Sequence, residues 1–307
     1  MGNIGELILA SLRMAIPLIF IAIGEVYSER AGMVNIGLEG LASFGSLIGF
    51  LVTFVTGNLW IGILAGALSG ILVNMIYAYS TINLCANHIV YGMAINIFAP
   101  ALASFTYRSY FGDASDLKQI ELMKGIGIPV LKDIPFVGKL LFNQTPMVYL
   151  AFILIIFTSI YFRKTKSGLN YRAVGENPHA AATLGINVMW VKYRACIICG
   201  ALAGIGGAYL TTCYSNTYTE GNMAGRGFIA LAAVIFGRWS ASGVMIACLF
   251  FGFCDALQIR LQTSSVGIPY QFFQMIPYIA TVIVLIIFGS KNAGPKAKGQ
   301  PYRREQR

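Results

Sequence analysis

The 307-residue chain is 57% apolar and only 11% charged, with a mean hydropathy of +0.69. A soluble domain carries about 25% charged residues, so a water-soluble globular enzyme is excluded and an all-α, polytopic membrane helix bundle is expected. The net charge of +10 is no nucleic-acid footprint, because twelve of the 22 Lys and Arg residues fall in two places, Arg163–Arg194 and the tail after Ser290; clustered basic loops mark the cytoplasmic side of a membrane.

A crossing helix needs about 20 mostly apolar residues. Runs at 7–26, 33–55, 59–80, 88–106, 146–162, 194–213, 226–238, 243–259 and 271–289 predict about nine spans (8–10). The seventh run is too short for an ordinary crossing, and a broken or re-entrant helix is expected there. The first run has no basic leader and no small-residue cleavage site, so no cleavable signal peptide is expected. The basic tail places the C-terminus inside, and counting back puts Arg163–Arg194 inside and Tyr107–Thr145 outside. The expected organisation is one transmembrane domain over 1–290, with an extracytoplasmic loop at 107–145, a cytoplasmic loop at 163–193 and a basic cytoplasmic tail at 291–307.

The second span opens with SERAGMVNIGLEG (Ser28–Gly40). Asn35, Glu39, Ser43 and Ser46 follow i, i+4, i+8 and i+11 and are expected to share one helix face. An acid as deep as Glu39 is costly unless it meets water or a partner. It therefore lines a substrate path or gate, or is pinned to another helix through an arginine or backbone amides. Gly32, Gly37 and Gly40 predict an irregular helix here. Gly62, Gly66 and Gly70 line one face of the third span, and Gly200, Ala203, Gly204, Gly207 and Ala208 form a similar surface later; both are expected to pack closely against other helices. Asn74 and Asn96 are candidate polar groups inside the bundle, as interhelical hydrogen bonds or as contacts on the substrate path. The outer loop's GIGIPVLKDIPFVGKLLF (Gly125–Phe142) is expected to form a structured cap.

The central loop contains RAVGENPHAAATLGI (Arg172–Ile186). Asn177 suits an N-cap, Pro178 the first helical position and Gly185 a terminating glycine, which predicts a short helix with its own start and stop. Cys196 and Cys199 sit in a helical run with no second pair and read as small apolar residues. In EGNMAGRGFIALAAVIFGRW (Glu220–Trp239), Arg226 either snorkels or pairs with Glu220 or Asp255. No phosphate-binding glycine loop, metal-ligand cluster or nucleophile–base pair occurs at familiar spacing. Catalysis by this chain and a bound metal are therefore not expected, and any nucleotide hydrolysis belongs to another chain.

SERAGMVNIGLEG, RAVGENPHAAATLGI, GRGFIALAAVIFGRW, DALQIRLQ and IPYQFFQMIPYIAT together resemble the permease subunits of bacterial ABC importers, in the nucleoside and simple-sugar branch related to ribose and branched-chain amino acid permeases. The resemblance runs from about Ala15 to Phe288. It implies a multi-pass protein of the bacterial cell membrane that translocates nucleosides or related small polar solutes by alternating access. It further implies a cytoplasmic ABC ATPase that carries the ATP and Mg, a second permease subunit and an extracytoplasmic substrate-binding lipoprotein, with no cofactor on this chain. Asn177–Gly185 then resembles a coupling helix seated in the ATPase. His179, Ala180, Ala181 and Gly185 match the spacing of the importer motif Glu-Ala-Ala-x-x-x-Gly, with His179 replacing the glutamate; Glu176, Asn177 and Pro178 open the helix. Asn35, Glu39, Asn74 and Asn96 are the substrate-path candidates. The alternatives are an ion-coupled secondary transporter using Glu39, or an ABC permease for a simple sugar or amino acid.

Overall fold

The computed structural model describes residues 2–112, 118–127, 143–263, 270–288 and 294–302. The chain order is α1 (Gly2–Arg30), α2 (Leu38–Thr56), α3 (Leu59–Ile82), α4 (His88–Phe111), β1 (Ile126–Gly127), β2 (Asn143–Gln144), α5 (Pro146–Lys164), α6 (Lys166–Glu176), α7 (Pro178–Thr183), α8 (Val188–Tyr209), α9 (Arg226–Phe236), α10 (Ala241–Thr263), α11 (Tyr270–Gln274) and α12 (Ile276–Phe288). A two-residue antiparallel pairing of β1 with β2 is the exception to otherwise helical secondary structure among the described residues. Among the described residues, seven helices are long and apolar enough to cross a membrane: α1 to α5, α8 with its extension, and α10. The seventh expected span is α9, 11 residues long, and the ninth is divided into α11 and α12. At ~1.5 Å per residue α9 reaches only about 16 Å, half a hydrocarbon core. The expected cap at 125–142 lies almost wholly outside the described residues.

α1 is the central post. It is buried nearly all round from Ala15 to Glu29, consistent with an apolar run that shows no polar face. Its widest contacts are with α10 and α8. α3 meets α8 through the two small-residue faces seen in the sequence. A Cβ added to Gly70 would run into the Gly200 carbonyl, and one added to Gly204 into the Gly66 carbonyl. No side chain fits between these backbones, which is how glycine lets membrane helices approach closely.

Two boundaries differ from the sequence reading. α1 continues to Arg30, and the chain then runs non-helically to Gly37 before α2 starts at Leu38. Asn35 therefore does not share a helix face with Glu39. Its side-chain oxygen instead accepts the Gly37 N–H at 2.9 Å, a local bond that competes with helix at this point. The central loop also holds a helix the sequence reading missed, α6. Thr165 starts it by accepting the Gly168 N–H at 3.0 Å, and Gly168, Tyr171, Val174 and Gly175 are its buried residues.

The tail Gly294–Tyr302 lies at the same end of the bundle as α6 and α7. The Ala297 N–H donates to the Gly175 carbonyl at 2.9 Å, and the Gly299 N–H to the Gly32 carbonyl at 2.9 Å.

Candidate functional site

Several buried polar groups converge where α1, α3 and α8 flank the non-helical stretch before α2. The Glu25 carboxylate accepts the Asn35 N–H at 2.9 Å and the Cys199 thiol at 3.5 Å. Asn35 Nδ2 donates to Asn74 Oδ1 at 2.8 Å, and Asn74 Nδ2 donates to the Cys196 carbonyl at 2.6 Å. Asn96 bonds the same stretch from α4, accepting from Gly40 N at 2.9 Å and donating to the Ile36 carbonyl at 2.8 Å. Backbone groups that leave a helix inside a membrane need partners of this kind. Asn35 and Asn74 are fully buried, and they form one network. Glu39 stands apart from it.

Glu39 lies in the first turn of α2 and faces the start of α9. Its two oxygens accept the Gly225 N–H at 2.8 Å and the Gly227 N–H at 2.7 Å. Gly225 has φ +81°, a conformation glycine adopts without strain. The carboxylate thus supplies acceptors to N–H groups at a helix start and complements the positive end of its dipole. Above it the chain from Ser215 to Gly225 is non-helical and is tied to α2 by Asn222 Nδ2, which donates to Ser46 Oγ at 2.6 Å.

One turn away lies a cavity of about 210 Å³ bounded by α9, α10, α11 and α12, with Arg226, Asp255, Gln258, Gln274 and Tyr278 on its wall. Arg226 Nε stands 3.7 Å from Asp255 Oδ2, and both side chains are largely buried. Arg226 Nη1 also donates to the Asn222 carbonyl at 2.9 Å. Glu220, the other acid near it in sequence, pairs with Arg108 at 2.8 Å, and that hydrogen bond holds its carboxyl below the usual range. Asp255 lies about 21 Å along α10 from Ala241 at ~1.5 Å per residue, within a candidate span, where ionisable residues usually face a cavity or a partner.

In the loop that follows α6, Asn177 Oδ1 accepts the Ala180 N–H at 3.0 Å and Pro178 occupies the first turn of α7. The Gly185 N–H donates to the Ala182 carbonyl and the Ile186 N–H to the Ala181 carbonyl, with Gly185 at φ +80°. Pro178 and Ala181 face inward, while Glu176, Asn177, His179, Ala180 and Gly185 are exposed. Leu184 is 79% exposed. The His179 ring lies 5.1 Å from that of Tyr302.

Three functional-looking groups were missed in the sequence: Glu25, Glu29 and Lys298. Glu29 is fully buried, bonds the Trp239 indole N–H and pairs with Lys298 Nζ at 2.9 Å. The signal available was an acid at i and i+4 closing the first apolar run, GEVYSER. Among the aromatic residues, Phe98 and Phe105 project outward, at 61% and 70% exposed, and the Tyr107 ring lies 5.1 Å from that of Tyr218, tilted by 43°.

Full-length helices, a half-helix with its start inside the bundle, and a polar cavity beside that start define a membrane transport subunit. Residues 7–285 match the family described as the branched-chain amino acid transport system permease component, and the chain belongs to that family of ABC transporter permeases. It is 39% identical to the nucleoside ABC transporter permease protein NupC of Lactococcus lactis, over 98% of each chain. It is 38% identical to the guanosine ABC transporter permease protein NupQ of Bacillus subtilis, over 97% of this chain and 96% of that one. A putative glucose ABC transporter permease protein of Haloferax volcanii is 32% identical, over 96% of this chain and 97% of that one. The chain is a non-catalytic permease component, and this family membership overturns the ion-coupled alternative built on Glu39.

Proposed function

We propose that the chain forms part of the membrane pathway of an ATP-driven importer of nucleosides. Its full-length similarity to nucleoside and guanosine permeases carries the substrate reading. In this reading residues 1–290 work as one permease unit with a second permease chain beside it, a substrate-binding lipoprotein outside and an ABC ATPase beneath. The loop 163–193 and the basic tail face the cytoplasm, and α7 seats in the ATPase. Its self-contained capping supports this, because a rigid helix can transmit ATP-driven movement to the bundle. Asn35, Glu39, Asn74 and Asn96 shape the substrate path by holding the broken backbone beside it. The glucose permease among the relatives supports a simple sugar as the second reading.

Uptake in cells stripped of their own nucleoside transporters tests this. With the partner chains co-expressed, radiolabelled guanosine should accumulate in an ATP-dependent manner, and unlabelled uridine should compete more strongly than glucose or leucine. Accumulation of glucose without guanosine would overturn it.

A further inference from the structure

The cavity at the start of α9 has no assigned ligand. It measures about 210 Å³, room for about seven waters at ~30 Å³ each, and Asp255 on its wall belongs to a candidate membrane span. Its wall carries one guanidinium, one carboxylate, the amides of Gln258 and Gln274, and the ring of Tyr278. Arg226 and Asp255 are 3.7 Å apart, longer than a good charge-assisted hydrogen bond. Arg226 Nε is buried without a hydrogen-bond partner among the described residues. The Tyr278 hydroxyl is already used, donating to the Ala224 carbonyl at 3.0 Å, so its contribution is the exposed part of its ring. The outer wall is built on the short helices α11 and α12, elements that can shift more readily than the central post.

We propose that this cavity is the subsite where the permease holds its solute in transit, and that it selects a neutral, hydroxyl-rich solute such as the pentose part of a nucleoside. Arg226 and Asp255 cancel on the wall itself, and the Glu39 carboxylate behind it is taken up by the Gly225 and Gly227 N–H groups. An ionic solute would bring an uncompensated charge into the bilayer, which is costly, whereas a neutral polyol exchanges hydrogen bonds one for one. Its hydroxyl groups donate to Asp255 and to the Gln258 and Gln274 carbonyls, and its oxygens accept from the Arg226 guanidinium where it lines the cavity and from the two amide NH2 groups. At 3.7 Å the pair admits no atom between its partners, so a hydroxyl binds at its edge, on the Asp255 carboxylate. The neutral-polyol chemistry is common to a nucleoside and a sugar; the choice of nucleoside rests on the function proposed above.

The test uses the whole complex in proteoliposomes, with radiolabelled guanosine and glucose as probes and size-exclusion chromatography as the check on assembly. Asp255→Asn should lower guanosine uptake at least tenfold. Gln258→Leu and Gln274→Leu should each lower it about fivefold with a raised KM, and Ile246→Leu, on an exposed face of α10 away from the cavity, should stay within twofold of wild type. If Asp255→Asn fails to assemble, the two glutamine variants decide, since neither strands a charge. Assembled cavity variants that transport within twofold of wild type would overturn the subsite. A wild-type complex that moves glucose and not guanosine would remove the nucleoside reading alone, and the same variants scored with glucose would still decide the cavity.

Discussion

The Glu39 carboxylate and the Gly227 N–H, 188 residues apart, meet at 2.7 Å, and the second Glu39 oxygen holds Gly225 at 2.8 Å. One side chain on α2 thus sets where α9 begins. Removing it strands two backbone N–H groups, at about 1–3 kcal/mol each. Glu39→Ala should lower the Tm of the detergent-solubilised protein by several degrees and reduce uptake with it. Glu39→Gln, which keeps one acceptor, should fall between. Uptake lost at an unchanged Tm would assign Glu39 to solute contact instead.

Close backbone approach makes the α3–α8 seam intolerant of any side chain. A Cβ on Gly204 would collide with the Gly66 carbonyl, and one on Gly200 would lie 2.6 Å from the Gly70 carbonyl oxygen. Overpacking of this kind costs about 1–3 kcal/mol or more. Gly204→Val should therefore abolish stable expression or depress Tm sharply. Leu68→Phe, on the 61% exposed outer face of α3, should leave Tm within about a degree, as surface changes usually do. Equal tolerance at both positions, scored by fluorescence size-exclusion and thermal melts, would contradict the close-packed seam.

That seam was legible because spacing of four along a helix is local information: Gly62, Gly66, Gly70 and Asn74 announce a face before any partner is known. The capped α7 was legible for the same reason, since Asn177, Pro178 and Gly185 all act within one turn of it. The short seventh run gave away the half-helix by length alone. Pairing was not legible. Arg226 had two acids within reach of a guess, and only the packing of α9 against α10 settles it on Asp255. Asn35 was misassigned because its bond to Gly37 N ends the helix pattern that its spacing implied. Glu25 and Glu29 looked like the polar end of a span, and became buried anchors only through Asn35, Cys199, Trp239 and a tail residue far along the chain.

Lys298 is the partner of a carboxylate with no access to solvent, at 2.9 Å, and it also lies 5.1 Å above the Trp239 ring. Breaking a buried pair from one side costs about 3–5 kcal/mol, because the other charge stays behind. Lys298→Met should therefore destabilise the protein, release the tail to limited proteolysis, and weaken transport through the loss of the Tyr302–His179 contact. Adding Glu29→Gln should recover much of the lost Tm, since the stranded charge is gone. A double variant no more stable than Lys298→Met would mean that the tail is held by its backbone bonds to Gly32 and Gly175 rather than by this pair.

The exposed side of α7 offers the sharpest test of coupling, because its residues can be changed without touching the core. Ala181 is 2% exposed and packs inward, so a charge there would damage folding and function together. Leu184 is 79% exposed, an apolar side chain held in solvent by the turn at Gly185, where φ is +80°. If α7 seats in an ATPase, this side chain is a natural anchor for the joint, and hot-spot truncations of such anchors cost about 2 kcal/mol or more. Leu184→Asp and Ala180→Glu should leave the permease's own Tm unchanged, while lowering ATPase co-purification and substrate-stimulated ATP hydrolysis at least tenfold. Gly185→Ala should act more mildly, through the strain of a left-handed residue, at about 1 kcal/mol. His179→Glu restores the acid of the importer motif and breaks the ring contact with Tyr302, so it separates the two uses of that position. Hydrolysis kept or raised with a loosened tail would place the ATPase contact on the glutamate side chain, and lost hydrolysis would place it on the imidazole and its tyrosine.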